Sequence, residues 1–271
     1  MKNLRPHKLL ILLGSVYFIY LIGMFFIQEK MIFFPFQEVL FEIDEKIAKA
    51  EHFLVPVDKE VSLDGYFFKS EGAKKTIMFF HGNGGNITTN LGRIELFKSL
   101  GKNVVIFDYR GYGKSSGEIL KESDLYNDAE IVYNYVLKEY SLKPENITLW
   151  GQSLGGAVAI EMATKYKVKN LVIESTFASV REIMLPLFRY SVPSILMKYK
   201  FDNLSKIKDL NLPILIIHSR EDEMIDFRNS ENLFKLASSP KQLIEITGSH
   251  NEGFHVSFQD KKEEIKNFLD K

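Results

Sequence analysis

The sequence of 271 residues predicts an α/β fold, a doubly wound and mostly parallel sheet flanked by helices, with one long apolar helix in front of it. Three observations carry this prediction. Short, continuously apolar runs recur along the chain; stretches of helical length and periodicity lie between them; and an uncharged apolar segment stands near the N-terminus. No internal repeat, low-complexity tract or Pro/Gly linker divides the part beyond that segment.

The apolar segment runs from Leu9 to Ile27 without a charge. At about 1.5 Å per helical residue it reaches roughly 28 Å, close to a hydrocarbon core of about 30 Å. It is longer than the apolar region of a signal peptide, and Phe25 to Lys30 offers no small-x-small cleavage site, so it reads as a retained anchor. Lys2, Arg5 and Lys8 precede it, whereas Glu29 and Lys30 cancel behind it. The positive-inside rule then sets the N-terminus in the cytoplasm and the rest of the chain on the non-cytoplasmic face of the membrane. The next residues, Met31 to Phe36 (MIFFPF), suit either the membrane interface or packing under the domain edge. The expected organisation is a cytoplasmic tip and anchor over 1–30, an interfacial linker over 31–52, helical from Asp44 to Glu51, and a globular domain over 53–271.

In that domain FLVPV (Phe53 to Val57) and VSLDGYFF (Val61 to Phe68) flank a polar turn and predict an antiparallel hairpin. Buried strands are then expected at TIMFF (Thr76), VVIFD (Val104), ITLW (Ile147), LVIE (Leu171), ILIIH (Ile214) and LIEI (Leu243). Helices are expected over Thr88 to Leu100, Asp124 to Tyr140, Leu154 to Lys167, Arg228 to Ala237 and Phe254 to Leu269. Between two of the strands, residues 177–210 add Met184, Leu187, Phe188, Tyr190, Leu196, Met197 and Tyr199, which read as a small helical cap.

Composition removes several function classes. Lys and Arg number 35 and Asp and Glu number 35, so there is no basic field to hold nucleic acid. With no cysteine, a thiolate nucleophile, Cys-ligated zinc and iron-sulfur clusters are excluded.

GQSLGG (Gly151 to Gly156) follows a strand directly and opens a helix, the context of a G-x-S-x-G nucleophile elbow. Such a turn leaves no room for side chains at Gly151 and Gly155 and projects the Ser153 hydroxyl from the sheet. The blander alternative is a Gly-rich turn whose serine caps the helix. HGNGGN (His81 to Asn86) sits behind an earlier strand, where an oxyanion-hole loop belongs. The backbone N–H groups of Asn83 and Leu154 are the expected donors to a developing oxyanion, with Gly84 as the alternative to Asn83. Neither this loop nor GYGKSS (Gly111 to Ser116) completes a nucleotide-binding motif, since Ile87 and Asp108 stand where glycines are needed.

In hydrolases with this elbow the acid and then the base follow the serine along the chain. Only His218, His250 and His255 follow Ser153. His250 lies in the polar loop TGSHNEG behind a strand and is the leading base, while His218 and His255 read as ordinary satisfied histidines. Glu221, Asp222, Glu223 and Asp226 are the acid candidates. Asp222 in the strand-end loop is preferred, and Asp226 is better explained as a helix N-cap.

HGNGGN, DYRGYGKSSG (Asp108 to Gly117), GQSLGG, HSREDEMI (His218 to Ile225) and SHNEG (Ser249 to Gly253), in this order, resemble the α/β-hydrolase superfamily. The chain is most similar to its small serine aminopeptidase-like group with an N-terminal membrane helix, from about Phe53 onward. The resemblance implies an eight-stranded sheet, no cofactor, and a triad of Ser153, Asp222 and His250. It also places DYRGYG beside the oxyanion hole; Arg110 itself reads as a structural residue in a turn, making a salt bridge. The activity expected is hydrolysis of an ester or thioester of an apolar acyl group, a small molecule or lipid. A peptidase or amidase with the same triad and a catalytically silent scaffold are the alternatives.

Overall fold

The computed structural model describes residues 6–183, 193, 196–238 and 240–271. Helix α1 spans Pro6–Ile32, so it runs past both ends of the apolar segment. Its side chains from Leu9 to Phe26 are largely exposed. It stops just ahead of Pro35, since a residue before proline is driven out of the helical region. Lys2 and Arg5 lie outside the described residues.

The expected helix over Asp44 to Glu51 shrinks to α2, Glu45–Ala48. Strand β1 (Ala50–Pro56) takes the rest, because Ala50 and Glu51 pair with Phe68 and Phe67 of β2 (Ser62–Phe68). The sheet therefore begins at Ala50, ahead of the expected Phe53. There follow β3 (Thr76–Phe80), α3 (Leu91–Ser99), β4 (Asn103–Phe107), α4 (Glu122–Glu139), β5 (Ile147–Gln152), α5 (Leu154–Lys165) and β6 (Asn170–Glu174). Next come α6 (Asn203–Ile207), β7 (Ile214–Ser219), α7 (Arg228–Leu236), β8 (Lys241–Ile246) and α8 (Gly253–Asp270). Met184, Leu187, Phe188 and Tyr190 of the expected cap lie outside the described residues. Where that insert returns, Tyr199 and Phe201 are buried.

Eight strands form one sheet in the order β1-β2-β4-β3-β5-β6-β7-β8. β2 is antiparallel to both its neighbours, and the remaining pairings are parallel. Alternate residues feed opposite faces. Met78 and Phe80 join the core beneath α4 and α5, whereas Ile77 and Phe79 join the core beneath α3 and α8. Each such fully buried side chain stabilises the fold by about 1.5–3 kcal/mol. The chain leaves β3 for β4 on one side and returns to β5 on the other, so the strand order reverses at β3. In open parallel sheets the crevice at the carboxyl ends beside such a reversal is where ligands bind. HGNGGN and the GQSLGG turn both emerge there.

Candidate active site

Ser153 sits between β5 and α5 with φ 52° and ψ −115°, a backbone conformation that costs on the order of 1–3 kcal/mol. The neighbouring glycines make it attainable. A Cβ at Gly151 would stand 2.1 Å from Gly155 O, and one at Gly155 would stand 2.0 Å from Phe80 O. Ser153 holds the N-cap position of α5, yet its side chain makes no capping hydrogen bond, so the cap reading does not describe it. Its hydroxyl faces a cavity of about 460 Å³ that Asn83, Gly84, Leu154 and His250 also line. As the first residue of α5, Leu154 has a backbone N–H with no intrahelical acceptor.

His250 lines this cavity, and behind it the fully buried Asp222 meets its ring. Asp222 Oδ2 is 2.7 Å from His250 Nδ1 and 3.0 Å from His218 Nε2, while Oδ1 accepts from the N–H groups of Met224 and Ile225. Burial works against the Asp222 carboxylate, but the hydrogen bonds from His218, His250 and Ile225 outweigh it and hold the group well below the usual carboxylate range. An ionised Asp222 requires Nδ1 of His250 to carry the proton, which leaves Nε2 as the free basic nitrogen. His218 is fully buried; its Nε2 also faces Ile225 O at 3.0 Å and its Nδ1 lies 2.6 Å from Ser230 Oγ. It is thus satisfied, as expected, and in addition shares the acid with His250. His255 is exposed on the cavity wall, its Nε2 close to Gly92.

The other acid candidates hold the surrounding loop. Glu221 accepts from Gly248 N at 2.8 Å and Glu223 from His250 N at 3.1 Å. Asp226 is not the N-cap of α7; that position belongs to Phe227. The helix starts one residue later because Asn229 N and Ser230 N first close short turns onto Asp226 O and Phe227 O. The Asp226 carboxylate instead accepts from Arg228 N at 2.9 Å and pairs with the Arg228 guanidinium.

Beneath the elbow lies a buried pair. Arg93 Nη1 is 2.8 and 2.6 Å from the two carboxylate oxygens of Glu174, to which Trp150 Nε1 also donates at 3.2 Å. The backbone oxygen of the same glutamate accepts from Ser153 N at 2.9 Å. In the sequence the signal was a charge inside an apolar run, Glu174 closing LVIE and Arg93 ahead of Ile94, because a buried charge needs a partner.

The oxyanion-loop candidate is braced from behind. Tyr109 OH donates to His81 O at 2.9 Å and Tyr112 OH to Asn83 Oδ1 at 2.6 Å, so DYRGYG does lie against this loop. Arg110 forms a two-pronged salt bridge to Asp128. His81 is fully buried, with Nδ1 2.8 Å from Gly82 O and Nε2 3.6 Å from Asp108. Burial pushes the imidazole down to about 4 and the Asp108 carboxyl up to about 8. Among the described residues no group of three His, Asp or Glu side chains is arranged to hold a metal ion.

A family profile described as "Serine aminopeptidase, S33" matches residues 71–206. An uncharacterized protein of Acanthamoeba polyphaga mimivirus is 31% identical over 74% of this chain and 75% of its own length. Human alpha/beta hydrolase domain-containing protein 17B is 32% identical over 68% of this chain, an alignment that spans 62% of the human protein. Among solved structures, a Pyrococcus furiosus esterase superposes with a TM-score of 0.70 at 19% identity, covering 88% of this chain and 98% of the esterase.

Proposed function

Since the chain belongs to the α/β-hydrolase family of serine aminopeptidase type, we propose that it is a membrane-anchored serine hydrolase cleaving an ester or thioester of an apolar acyl group. The observation that carries this reading is the 2.7 Å contact of the buried Asp222 with Nδ1 of His250, which shares a cavity with the strained Ser153. His250 Nε2 takes the Ser153 proton as Oγ attacks the carbonyl carbon. The backbone N–H groups of Asn83 and Leu154 stabilise the oxyanion that forms. His250 returns the proton to the leaving oxygen or sulfur, and water, activated the same way, releases the acid from the acyl-enzyme.

Met31, Ile32, Phe34, Phe177, Ile183 and Met224 give the cavity its apolar wall, which suits an acyl chain. An aminopeptidase must also hold the ammonium of its substrate, and among the described residues no Asp or Glu lines this cavity. That favours the ester or thioester over the peptide. The membrane part of the reading is supported by α1, the helix among the described residues long and apolar enough to span, whose exposed Leu10, Ile19 and Phe26 find a suitable surrounding in lipid. Its N-terminus in the cytoplasm would put the cavity on the other face.

The test is labelling of the full-length chain in membranes with a fluorophosphonate, beside hydrolysis of esters and thioesters of graded acyl length. Ser153→Ala should abolish both, by about a millionfold in kcat. Labelling that survives this substitution would sink the assignment.

A further inference from the structure

The segment joining α1 to the sheet is built into the candidate active site. Beyond Ile32 residues 33–40 form no regular secondary structure, and their backbone is bonded step by step to the loop His81 to Asn86 and the turn beside it. Asn83 Nδ2 donates to Ile32 O, and Asn83 Oδ1 accepts from Phe34 N at 3.0 Å and from Tyr112 OH. Phe36 O accepts from Gly113 N at 3.0 Å. Asn86 Nδ2 donates to Glu38 O at 2.7 Å and to Phe36 O at 3.3 Å, while its Oδ1 accepts from Thr88. On the other side the Phe33 ring is buried, edge-on to Tyr199 at 5.1 Å and to Phe201 at 6.3 Å.

The loop needs such support. Gly82, Gly84 and Gly85 give it wide conformational freedom, and Gly84 adopts φ +87°. An oxyanion donor is effective only when held within about 0.5 Å of its working position. The Asn83 carboxamide gives its oxygen to Phe34 N and Tyr112 OH and one of its two amide hydrogens to Ile32 O, which ties the side chain to the strap. We infer that the strap of residues 33–40 is a working wall of the active site, and that the Asn83 side chain is a positioning residue whose grip on the strap aims the Asn83 backbone N–H at the substrate oxygen. This inference rests on the hydrolase reading above. It makes the exit of the anchor, and not only the domain behind it, part of the catalytic apparatus.

The test uses the full-length chain in detergent and a short, water-soluble ester. Asn83→Ala removes the grip from the loop side, and Phe34→Pro removes the N–H donor from the strap side. Each should lower kcat by about ten- to hundredfold; in Asn83→Ala, which leaves the Phe34 ring on the cavity wall, KM should change by less than about threefold. The double variant should be no worse than the poorer single one, because Asn83→Ala already removes the Phe34 N–H bond that Phe34→Pro breaks. The pH–rate profile should keep its shape, since Asp222 and His250 are untouched. Tyr112→Phe, which removes one of the bonds to Asn83 Oδ1 and leaves both backbones intact, should lower kcat by a smaller factor and provides the measurement should Asn83→Ala not fold. Asn83→Ala with kcat within about twofold of wild type, a loss confined to KM, or losses that multiply in the double variant would overturn the inference. A wild-type chain that neither labels nor hydrolyses would bring down the hydrolase reading and this inference together; an active wild type with insensitive variants would remove this inference alone.

Discussion

Replacing Arg93 with methionine tests whether the buried pair under the elbow holds it in place. The Arg93 and Glu174 side chains are 3% and 1% exposed, so their charges are shielded from water. A buried pair contributes little net stability compared with a well-packed apolar pair, but removing one partner strands the other, at about 3–5 kcal/mol. Trp150 would remain as the side-chain donor to Glu174, and the guanidinium would also leave the Phe254 ring, 4.7 Å from its centroid. At about 2–4 °C per kcal/mol for a chain of this size, Arg93→Met should lower Tm by on the order of 10 °C. Arg93→Met combined with Glu174→Gln leaves no buried charge and should recover most of that loss. Thermal unfolding followed by circular dichroism in detergent reads both. A single variant that unfolds within about 2 °C of wild type, or a double variant less stable than the single, would refute the reasoning.

Two further outcomes follow from the same geometry. His218→Leu takes one hydrogen bond from Asp222 without touching the Ser153 side of the cavity, and should cost about 1.4 kcal/mol, or tenfold in kcat, with KM nearly unchanged; an unchanged kcat in steady-state assays would show that the second histidine only fills space. His81 should set an acid limb in stability. Native His81 resists protonation until about pH 4, whereas the unfolded residue binds a proton from about 6.5, so stability present above 6.5 is lost as pH falls toward 4, by up to about 1.4 kcal/mol per unit. Asp108, held up to about 8, acts oppositely, since native protonation favours the fold increasingly as pH falls from about 8 toward 4. Measured by urea unfolding at several pH values, the stability advantage of wild type over His81→Gln should shrink between pH 6.5 and 4; a constant difference would contradict this.

The strands were legible because both faces of each are covered, which makes the apolar runs continuous, as in TIMFF and ILIIH. Ser153 was legible because a sharp turn between a strand and a helix forces glycines at fixed spacing. Local signals failed where distant pairing decides. The helix expected through Glu51 yields to β1, since Ala50 and Glu51 find partners in β2 that a sequence window does not contain. Arg93 and Glu174 are 81 positions apart, and Asn83 lies 51 from Ile32, so no spacing rule joins them. Asn83 and Asn86 looked like residues of a polar loop, and only the path of the chain after α1 shows what their carboxamides grip.

The chain has a single tryptophan, and it is the Trp150 that donates to Glu174 from between the Phe97 and Phe254 rings. Its indole is fully buried on the strand that ends in the elbow. Intrinsic fluorescence excited at the red edge of the spectrum, where the 12 tyrosines do not absorb, therefore comes from one place in the molecule. A blue emission marks an intact foundation under Ser153, and a red shift marks water reaching it. The protein carries its own optical gauge of whether Ser153 is still mounted, readable without attaching a dye.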